Sequence, residues 1–283
     1  VNHFRGTELV IEHIEERVCP TITSNQLLGG KPFKFKGDNP PHIVFMIGEK
    51  EYNTASTIPA FAKRHLEYRG IQCTFVTVAE DDPNHFPGLE VLKDADLLLV
   101  SVRRRTPSKM QLQFIRDHLA KGKPLVGIRT ASHAFDRSLP DKQHERWTNF
   151  DNEILGADYL GHYGNRPPED PATIAQANSN KTDHPILKGI NLKSFKVKSH
   201  LYKNKILSNS VKVLMTGTLE GQSQINEPLA WTNKINGSRI FYTSLGSVGD
   251  FKLPAFQRIL LNGILWTIDK PIPPDDPRVI AKQ

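Results

Sequence analysis

The sequence predicts an α/β protein with a flavodoxin-like, open and mostly parallel β-sheet that carries helices on both faces. Short apolar runs recur between residues 42 and 128, and they lack the polar face of a strand on an exposed sheet surface. Segments with the apolar spacing of a helix lie between these runs, and the connections are short. Strands that alternate with helices in this way predict a doubly wound parallel sheet.

Four strands are predicted in the first half of the chain, at residues 42–47, 72–78, 96–102 and 124–128. Three helices are expected between them. The first presents Ile58 and Phe61 on one face, with Pro59 in its first turn. For the helix after the third strand, Thr106 is predicted as the N-cap and Pro107 as the first helical residue.

The second half of the chain is richer in predicted strands, which fall at residues 173–177, 195–197, 211–215, 228–232 and 238–242. A last helix is predicted over residues 254–267, because Phe256, Ile259 and Ile264 share one face. The chain is therefore divided into an N-terminal arm, one α/β domain and an extended, proline-rich tail, at residues 1–41, 42–270 and 271–283.

Composition argues against several classes of protein. The chain carries 37 Lys and Arg against 30 Asp and Glu, and the excess of +7 is spread out, so no nucleic-acid partner is expected. No apolar run approaches the roughly 18 residues that a membrane span requires. Two cysteines cannot build a disulfide framework. The chain starts with Val1-Asn2, and a removed signal peptide would explain this start, so we favour a periplasmic or secreted protein over a cytoplasmic one.

Polar loops follow three of the predicted parallel strands, at residues 48–52, 103–105 and 129–133. In an open α/β sheet, ligands bind outside the carboxyl ends of the strands. We therefore expect the functional site at this edge, with Tyr52 and Thr130 among the residues that bind substrate.

Ionisable residues in the first two of these loops are candidates for chemistry. Glu49 is expected to act as a general base or a metal ligand; alternatively it caps the next helix or pairs with a lysine. Because side chains alternate along extended backbone, Arg103 is predicted to point inward as a fork for a carboxylate, a phosphate or a pair of sugar hydroxyls. Arg104 and Arg105 are expected to be solvated.

Arg129 lies in the third loop, at a strand-to-helix turn. Amidotransferases and hydrolases with a G-x-C-x-G or G-x-S-x-G elbow hold their nucleophile at this position. A guanidinium stays protonated and cannot attack a carbonyl, so covalent acyl chemistry at Arg129 is excluded. Ser132 is a poor substitute, because it does not lie at the elbow and its neighbour His133 is expected to point elsewhere on a helix.

Histidines concentrate in the following segment, where five of the 11 in the chain fall between residues 133 and 200. His133, predicted at the start of a helix, and His162, in a glycine-flanked loop, are predicted to be catalytic. No motif such as H-E-x-x-H is present, so a metal site, with these two as candidate ligands, would require convergence in space. Further substrate-binding residues are predicted at His144, Trp147, Asp151, Tyr163, His200 and Tyr202, although a tryptophan or tyrosine such as Trp147 or Tyr163 is more commonly part of a core.

An ordered set of short motifs carries a resemblance to one family. The motifs are residues 43–49 with Tyr52, 127–135, 155–157, 161–163, 183–186, 228–231, 241–246 and 263–266. Each motif alone is weak, but together, over about residues 42 to 270, they resemble the trehalose-utilisation (ThuA-like) family.

The resemblance implies the class I glutamine amidotransferase-like fold with a lost Cys-His-Glu triad. It also implies a role in carbohydrate metabolism, on 3-keto sugars or glycosides, sometimes with a bound divalent metal, and it carries the family's pocket onto Glu49, His133 and His162. Two positions depart from the family pattern. The family commonly has an acidic residue before a Leu-Tyr pair, where this chain has Ser199-His200, and it commonly has a histidine where this chain has Ser247. If relatives bind a metal there, the metal site of this chain is altered or absent.

The leading hypothesis is a carbohydrate-active enzyme that transfers protons, as an isomerase, a hydrolase or a lyase. Glu49 or His133 would be the base, His162 its partner, and Arg129 and Arg103 would hold substrate oxygens. One alternative is a non-catalytic protein that binds a sugar, an anion or a partner subunit. Another is a metal-dependent hydrolase that uses His133, His144 and His162. A homo-oligomer is compatible with each hypothesis.

Overall fold

The structure, a computed structural model, describes residues 21–22, 40–181, 183–190 and 194–272. Most of the predicted arm at 1–41 and of the predicted tail at 271–283 lies outside these residues. Within them, no helix combines the length and the apolar character needed to cross a membrane. The predicted α/β class is confirmed, because a sheet with a parallel centre carries helices.

Most predicted elements are present, and several have the predicted bounds. The strands are β1 (Thr21–Ile22), β2 (His42–Gly48), β3 (Gln72–Thr77), β4 (Leu97–Val102), β5 (Leu125–Ile128), β6 (Ala157–His162), β7 (Thr173–Ala177), β8 (Phe195–Val197), β9 (Tyr202–Ile206), β10 (Lys212–Leu219), β11 (Gln222–Ile235) and β12 (Ser238–Thr243). The α-helices are α1 (Thr54–His65), α2 (Lys109–Ala120) and α3 (Pro254–Thr267).

Ten of these strands form one mixed sheet, in the order β1-β3-β2-β4-β5-β12-β11-β10-β7-β8, and β6 pairs with β9 separately. The centre of the sheet, from β3 to β12, is parallel. The chain runs outward from β2 to β3 and then returns across β2 to β4, so the strand order reverses between β2 and β4. A crevice forms at such a reversal, outside the carboxyl ends of the strands.

Two apolar cores cover the two faces of the central sheet, because successive side chains of a strand point to opposite faces. In β2, Ile43 and Phe45 pack in one core with residues of α1 and α3. Val44 and Met46 pack in the other core with residues of α2. Helices therefore cover both faces, as predicted.

Two helix boundaries differ from the prediction. Helix α1 begins five residues before Pro59, so this proline lies in mid-helix, where it removes one backbone hydrogen bond. Helix α2 is capped by Ser108, whose hydroxyl accepts the amide hydrogen of Gln111, and not by Thr106. The reason is tertiary, because the amide and hydroxyl groups of Thr106 both donate to Asn84.

Two predicted helices are single turns in the structure. The segment between β3 and β4 holds a short 3-10 helix, Leu89–Lys93. After β5 the chain forms a 3-10 helix at Arg129–His133, so His133 ends a turn instead of beginning a helix. In the second half, β11 extends over 14 residues, and the predicted segment at 228–232 coincides with most of its buried part, residues 229–233. The outer parts of β11 are held by pairing with β10 and β12, which a local apolar pattern does not reveal.

Candidate active site at the carboxyl edge of the sheet

A cleft of about 1150 Å³ opens at the carboxyl edge of the parallel strands. The segments that follow β2, β4 and β5 line it, together with residues between 136 and 151 and residues of β6. The topology accounts for this position, because these strands end where the strand order reverses. The three polar loops singled out in the sequence therefore surround one cleft.

Arg129 occupies a strained turn directly after β5. Its φ of +44° lies in the left-handed region, which residues with a side chain seldom adopt. The side chain is buried, and its guanidinium lies 4.2 Å from the ring centroid of Tyr52 and 4.6 Å from that of Tyr202. It donates to the carbonyl oxygen of Ser244 at 2.7 Å and to the Tyr52 hydroxyl at 3.3 Å. Arg129 is therefore enclosed beside the cleft, between two predicted substrate-binding tyrosines, and does not line it.

Glu49 lines the cleft, but its carboxylate already accepts three hydrogen bonds. One oxygen accepts the amide hydrogen of Tyr52 at 2.7 Å. The other accepts the amide hydrogen of Thr54 at 2.8 Å and also the Thr54 hydroxyl. A carboxylate at this place caps the first turn of α1 and interacts favourably with the helix dipole. The structure thus supports the capping alternative for Glu49.

Arg105, which was expected to be solvated, is the buried arginine of the β4 loop, and Arg103, which was predicted to point inward, lines the same cleft. Arg105 is buried, and its Nε donates to the carbonyl oxygen of Gly48 at 2.9 Å. Arg103 is half-buried and pairs with Glu51 at 2.8 Å. The alternation assumed for extended backbone fails because Arg104 has a φ of +48°.

His133 lies on the cleft wall in its neutral form. Burial, together with nearby arginines, lowers the pKa of His133 to about 3. Its Nδ1 lies 3.1 Å from the hydroxyl oxygen of Ser132, and its ring stacks on that of Tyr159 with centroids 4.4 Å apart. The expectation that His133 points away from Ser132 was therefore wrong, because both belong to one 3-10 turn.

A row of rings continues from the cleft wall. The pairing of β6 with β9 places His162 opposite Tyr202. The Tyr159 and Tyr202 ring centroids are 4.7 Å apart, and those of His162 and His200 are 5.4 Å apart. Desolvation, reinforced by the charge of Arg129, lowers the pKa of both His162 and His200. We call five side chains the ring row: His133, Tyr159, Tyr202, His162 and His200.

Of the ten residues predicted to bind substrate, only Arg103 and Asp151 line the cleft, and His144 and Trp147 are among those outside it. The Nδ1 of His144 lies 2.7 Å from a carboxylate oxygen of Asp141, and its Nε2 lies 4.0 Å from Asp82. Trp147 stacks on Phe135, with ring centroids 6.5 Å apart, at the edge of a core cluster. For Trp147 the core alternative is therefore the one that the structure supports.

Three further predicted residues take different places. Asp151 lines the cleft and accepts the amide hydrogen of Tyr159 at 2.9 Å, and burial raises the pKa of Asp151. Thr130 is buried and is not part of the cleft lining. The Tyr163 hydroxyl donates to Glu227 at 2.8 Å, outside the cleft lining. Of the three, only Asp151 contacts the cleft.

The residues that the structure describes do not fit a divalent metal. Among the described residues, no group of three His, Cys, Asp or Glu is placed to hold an ion, so the three-histidine hypothesis is not supported. The two positions that depart from the family pattern meet at Asp250, a buried carboxylate that accepts the Ser199 hydroxyl and the Ser247 amide hydrogen. Serine hydroxyls at both positions supply neither a carboxylate nor an imidazole ligand.

Sequence reasoning missed Tyr159, Arg137 and Asp250. The first two line the cleft. Asp250 ties the segment before β9 to the segment after β12, through the amides of Lys198 and Gly246. No local signal marks these residues, because their partners lie far away in the chain.

A model of one protein family matches most of the chain. The family is described as ThuA, trehalose utilisation, and the match covers residues 43–267. This chain belongs to the ThuA family. Its membership confirms the resemblance read from the ordered motifs and makes the chain a carbohydrate-related protein. Among curated proteins, none matches the chain significantly.

Solved structures of ThuA-like proteins share the fold. One from Parabacteroides merdae has a TM-score of 0.59 at 17% identity, over 82% of this chain and 91% of its own. Another from Bacteroides uniformis has a TM-score of 0.57 at 15% identity, over 83% of this chain and 94% of its own. The carbohydrate deacetylase Agd3 has a TM-score of 0.52 at 14% identity, over 81% of this chain and 32% of its own. At these identities the likeness shows the α/β fold alone.

Proposed function

We propose that this ThuA-family protein is an enzyme that acts on a keto-sugar or a glycoside by proton transfer in the cleft. We also propose that its sheet is of the flavodoxin-like, class I glutamine amidotransferase kind. The observation that carries the proposal is the ring row, which begins at the cleft with His133 and Tyr159 and continues to two further histidines. Three histidines with lowered pKa values give the protein neutral imidazoles at pH 7.

Two histidines of the ring row, His162 and His133, differ in exposure and in pKa, and we propose different roles for them. Removal of a proton next to a carbonyl requires an unprotonated base and a donor for the oxygen on which negative charge develops. His162 directly follows Gly161, which lines the cleft, and it is exposed. Desolvation lowers the pKa of His162, which favours its neutral form, so it suits the base. His133, with a pKa of about 3, is too weak a base, but a neutral imidazole can donate a hydrogen bond to a carbonyl oxygen.

Arg129 supports proton transfer over acyl transfer. Its left-handed turn after β5 is the kind of place where other α/β enzymes hold a nucleophile. A guanidinium cannot act as one, and this guanidinium is enclosed by Tyr52 and Tyr202. Its contribution is to fix Tyr202, a member of the ring row.

Proton NMR of the protein with a panel of glycosides and their 3-keto derivatives tests the proposal. We expect product from at least one compound. In His162→Gln, turnover should fall by about 10²- to 10⁴-fold, the usual contribution of an acid–base group.

The matched control is His144→Gln, because His144 contacts Asp141 and no member of the ring row. This variant should keep turnover within about two-fold of the wild type, as expected of a change away from the site. Failure to convert any compound, or equal losses in the two variants, would contradict the proposal.

A second candidate function is carbohydrate binding without catalysis. The observation that favours it is that two carboxylates of the cleft, Glu49 and Asp151, already accept backbone amide hydrogens, so they are less suited to act as a base. This candidate predicts that a sugar from the panel raises the Tm without any product, since a ligand that binds only the folded state stabilises it. Product in the NMR experiment would exclude it.

A further inference from the structure

We propose that the cleft contains a subsite for an anionic group, so that the carbohydrate it takes is a sugar phosphate ester or a sugar carboxylate. The proposal rests on the proposed function, because it specifies the substrate class of the same cleft. It is carried by the charges of the cleft and by the anchoring of residues 103–105 after β4.

The acidic side chains of the cleft are already engaged. Six cationic and four acidic side chains line it. Glu51 pairs with Arg103 at 2.8 Å, and Asp136 pairs with Arg146. The other two acids accept backbone amide hydrogens, one at the start of α1 and one before β6. The acids of the cleft therefore leave part of its positive charge without a partner.

Four cations of the cleft form no ion pair with any residue that the structure describes. They are Lys50, Arg104, Arg105 and Arg137. Arg105 is close enough to Arg137 and Arg103 that their charges, after burial, lower the pKa of Arg105. The charge of Glu49 acts in the opposite direction but is the smallest of these effects. Like charges that converge with too little opposing charge repel one another, and a bound anion would relieve this repulsion.

Arg105 is built as an anion-binding group. Its side chain is only 8% exposed, although it lines the cleft. Its Nε donates to the carbonyl oxygen of Gly48, and no described residue accepts a hydrogen bond from its two terminal nitrogens. A guanidinium fixed through Nε, with its terminal nitrogens unused, suits bidentate binding of a phosphate or a carboxylate.

The backbone of this segment is also fixed in place. The amide of Arg104 donates to the carbonyl oxygen of His133 at 2.9 Å, and that of Arg105 to the carbonyl oxygen of Ala134 at 2.7 Å. These bonds tie the β4 loop to the turn after β5 and hold Arg104 in its left-handed conformation. An anion at this loop would place the rest of the sugar beside His133 and Tyr159, which also line the cleft.

Calorimetric titration at low ionic strength tests the proposal with four probes: glucose 6-phosphate, glucuronate, glucose and inorganic phosphate. We expect at least one anionic sugar to bind about ten-fold or more tightly than glucose, because charge-assisted hydrogen bonds to arginine are strong. The two anionic sugars distinguish a phosphate ester from a carboxylate.

Two variants remove single arginines from the subsite. Arg105→Met and Arg137→Ala should each weaken binding of the preferred anionic sugar by about ten-fold. Arg137 is exposed, so its variant keeps the test valid if Arg105→Met does not fold. The matched control is Lys234→Ala, which removes the same charge from an exposed site where β11 pairs with the start of β12, and it should change binding by less than about two-fold.

Each outcome separates this proposal from the proposed function. Equal binding of glucose and its anionic derivatives, or equal losses in Arg137→Ala and Lys234→Ala, would overturn the subsite and leave a carbohydrate enzyme standing. Inorganic phosphate that binds as tightly as glucose 6-phosphate, with a loss in Arg137→Ala, would support the subsite and count against a sugar as the ligand. Absence of binding by all three anionic probes would overturn the subsite.

Discussion

Two turns follow neighbouring parallel strands, and each contains an arginine in the left-handed region. After β5, Arg129 has a φ of +44°, and its side chain is enclosed between two tyrosines. After β4, Arg104 has a φ of +48°, and the next residue, Arg105, lines the cleft. The two turns are thus alike in residue type, in topological position and in having an arginine with a positive φ. The buried guanidinium groups of the two turns, those of Arg129 and Arg105, have different surroundings.

The difference lies in the partners that the fold brings to each guanidinium. Arg129 receives a carbonyl oxygen from Ser244 and two aromatic faces, from elements distant in sequence. Arg105 receives one carbonyl oxygen, that of Gly48, and its two like-charged neighbours outweigh the opposing charge of Glu49. A polar residue at the ligand-binding edge of an α/β sheet can therefore be a structural element, and its partners decide between the two roles.

The largest expected effect is the loss of stability in Arg129→Met. The change leaves the buried Ser244 carbonyl oxygen without its donor and removes the cation from between two rings, which together cost about 3 kcal/mol of unfolding free energy. Urea denaturation at pH 7 measures it. The comparison variant is Arg105→Met, which loses one hydrogen bond but relieves repulsion, so we expect a loss below about 1 kcal/mol.

Equal destabilisation by the two methionine variants would break the contrast between the turns. It would show that Arg105 is as much a structural residue as Arg129. In that case the cations of the cleft would be an incidental feature of the fold.

Much of the fold follows from local sequence patterns. The bounds of α3 are those predicted, because its apolar face and the proline at its start are local signals. The cap of α2 was misplaced because Asn84, which is distant in sequence, takes both donors of Thr106. The length of β11 was underestimated because its outer residues are held by cross-strand pairing. Errors arose where a distant partner decides the local structure.

The site was predictable in position and less so in detail. The carboxyl-edge rule located the cleft from the strand assignment alone. It could not identify Arg105 as the buried arginine, because the sequence Arg103-Arg104-Arg105 does not predict the positive φ of Arg104. It could not show that His162 faces Tyr202, because that contact depends on the register between β6 and β9.

A smaller effect is expected from His133, which ends the turn after β5 and accepts a hydrogen bond from the turn after β4. Burial, with the charges of Arg103, Arg104 and Arg129, lowers the pKa of His133 to about 3. In the unfolded chain this imidazole binds a proton near pH 6.5, but in the folded chain it does not. Its effect on the free energy of unfolding is therefore absent above about pH 6.5, and the free energy of unfolding decreases as the pH falls from there toward 3. His133→Gln should reduce the loss of unfolding free energy between pH 7 and pH 5 by about 1–2 kcal/mol.

Urea denaturation of wild type and variant at both pH values measures this difference. His118 and His184, whose pKa values burial lowers to about 4, contribute to the slope with the same sign in both proteins. Their contributions therefore cancel in the comparison. An identical slope in the two proteins would mean that His133 is protonated in the folded state, and that the cleft tolerates a further cation.

The smallest expected effect concerns the backbone of the β4 turn, and it separates strain from side-chain chemistry. Arg104→Gly and Arg104→Ala remove the same charge, but only glycine adopts a φ of +48° without steric cost. We expect the glycine variant to be more stable than the alanine variant by about 1 kcal/mol in urea denaturation, the usual cost of a left-handed residue with a Cβ. Equal stabilities would mean that the turn relaxes once the arginine is gone. The arginine side chain, rather than the bonds to His133 and Ala134, would then hold the strained conformation that encloses Arg105.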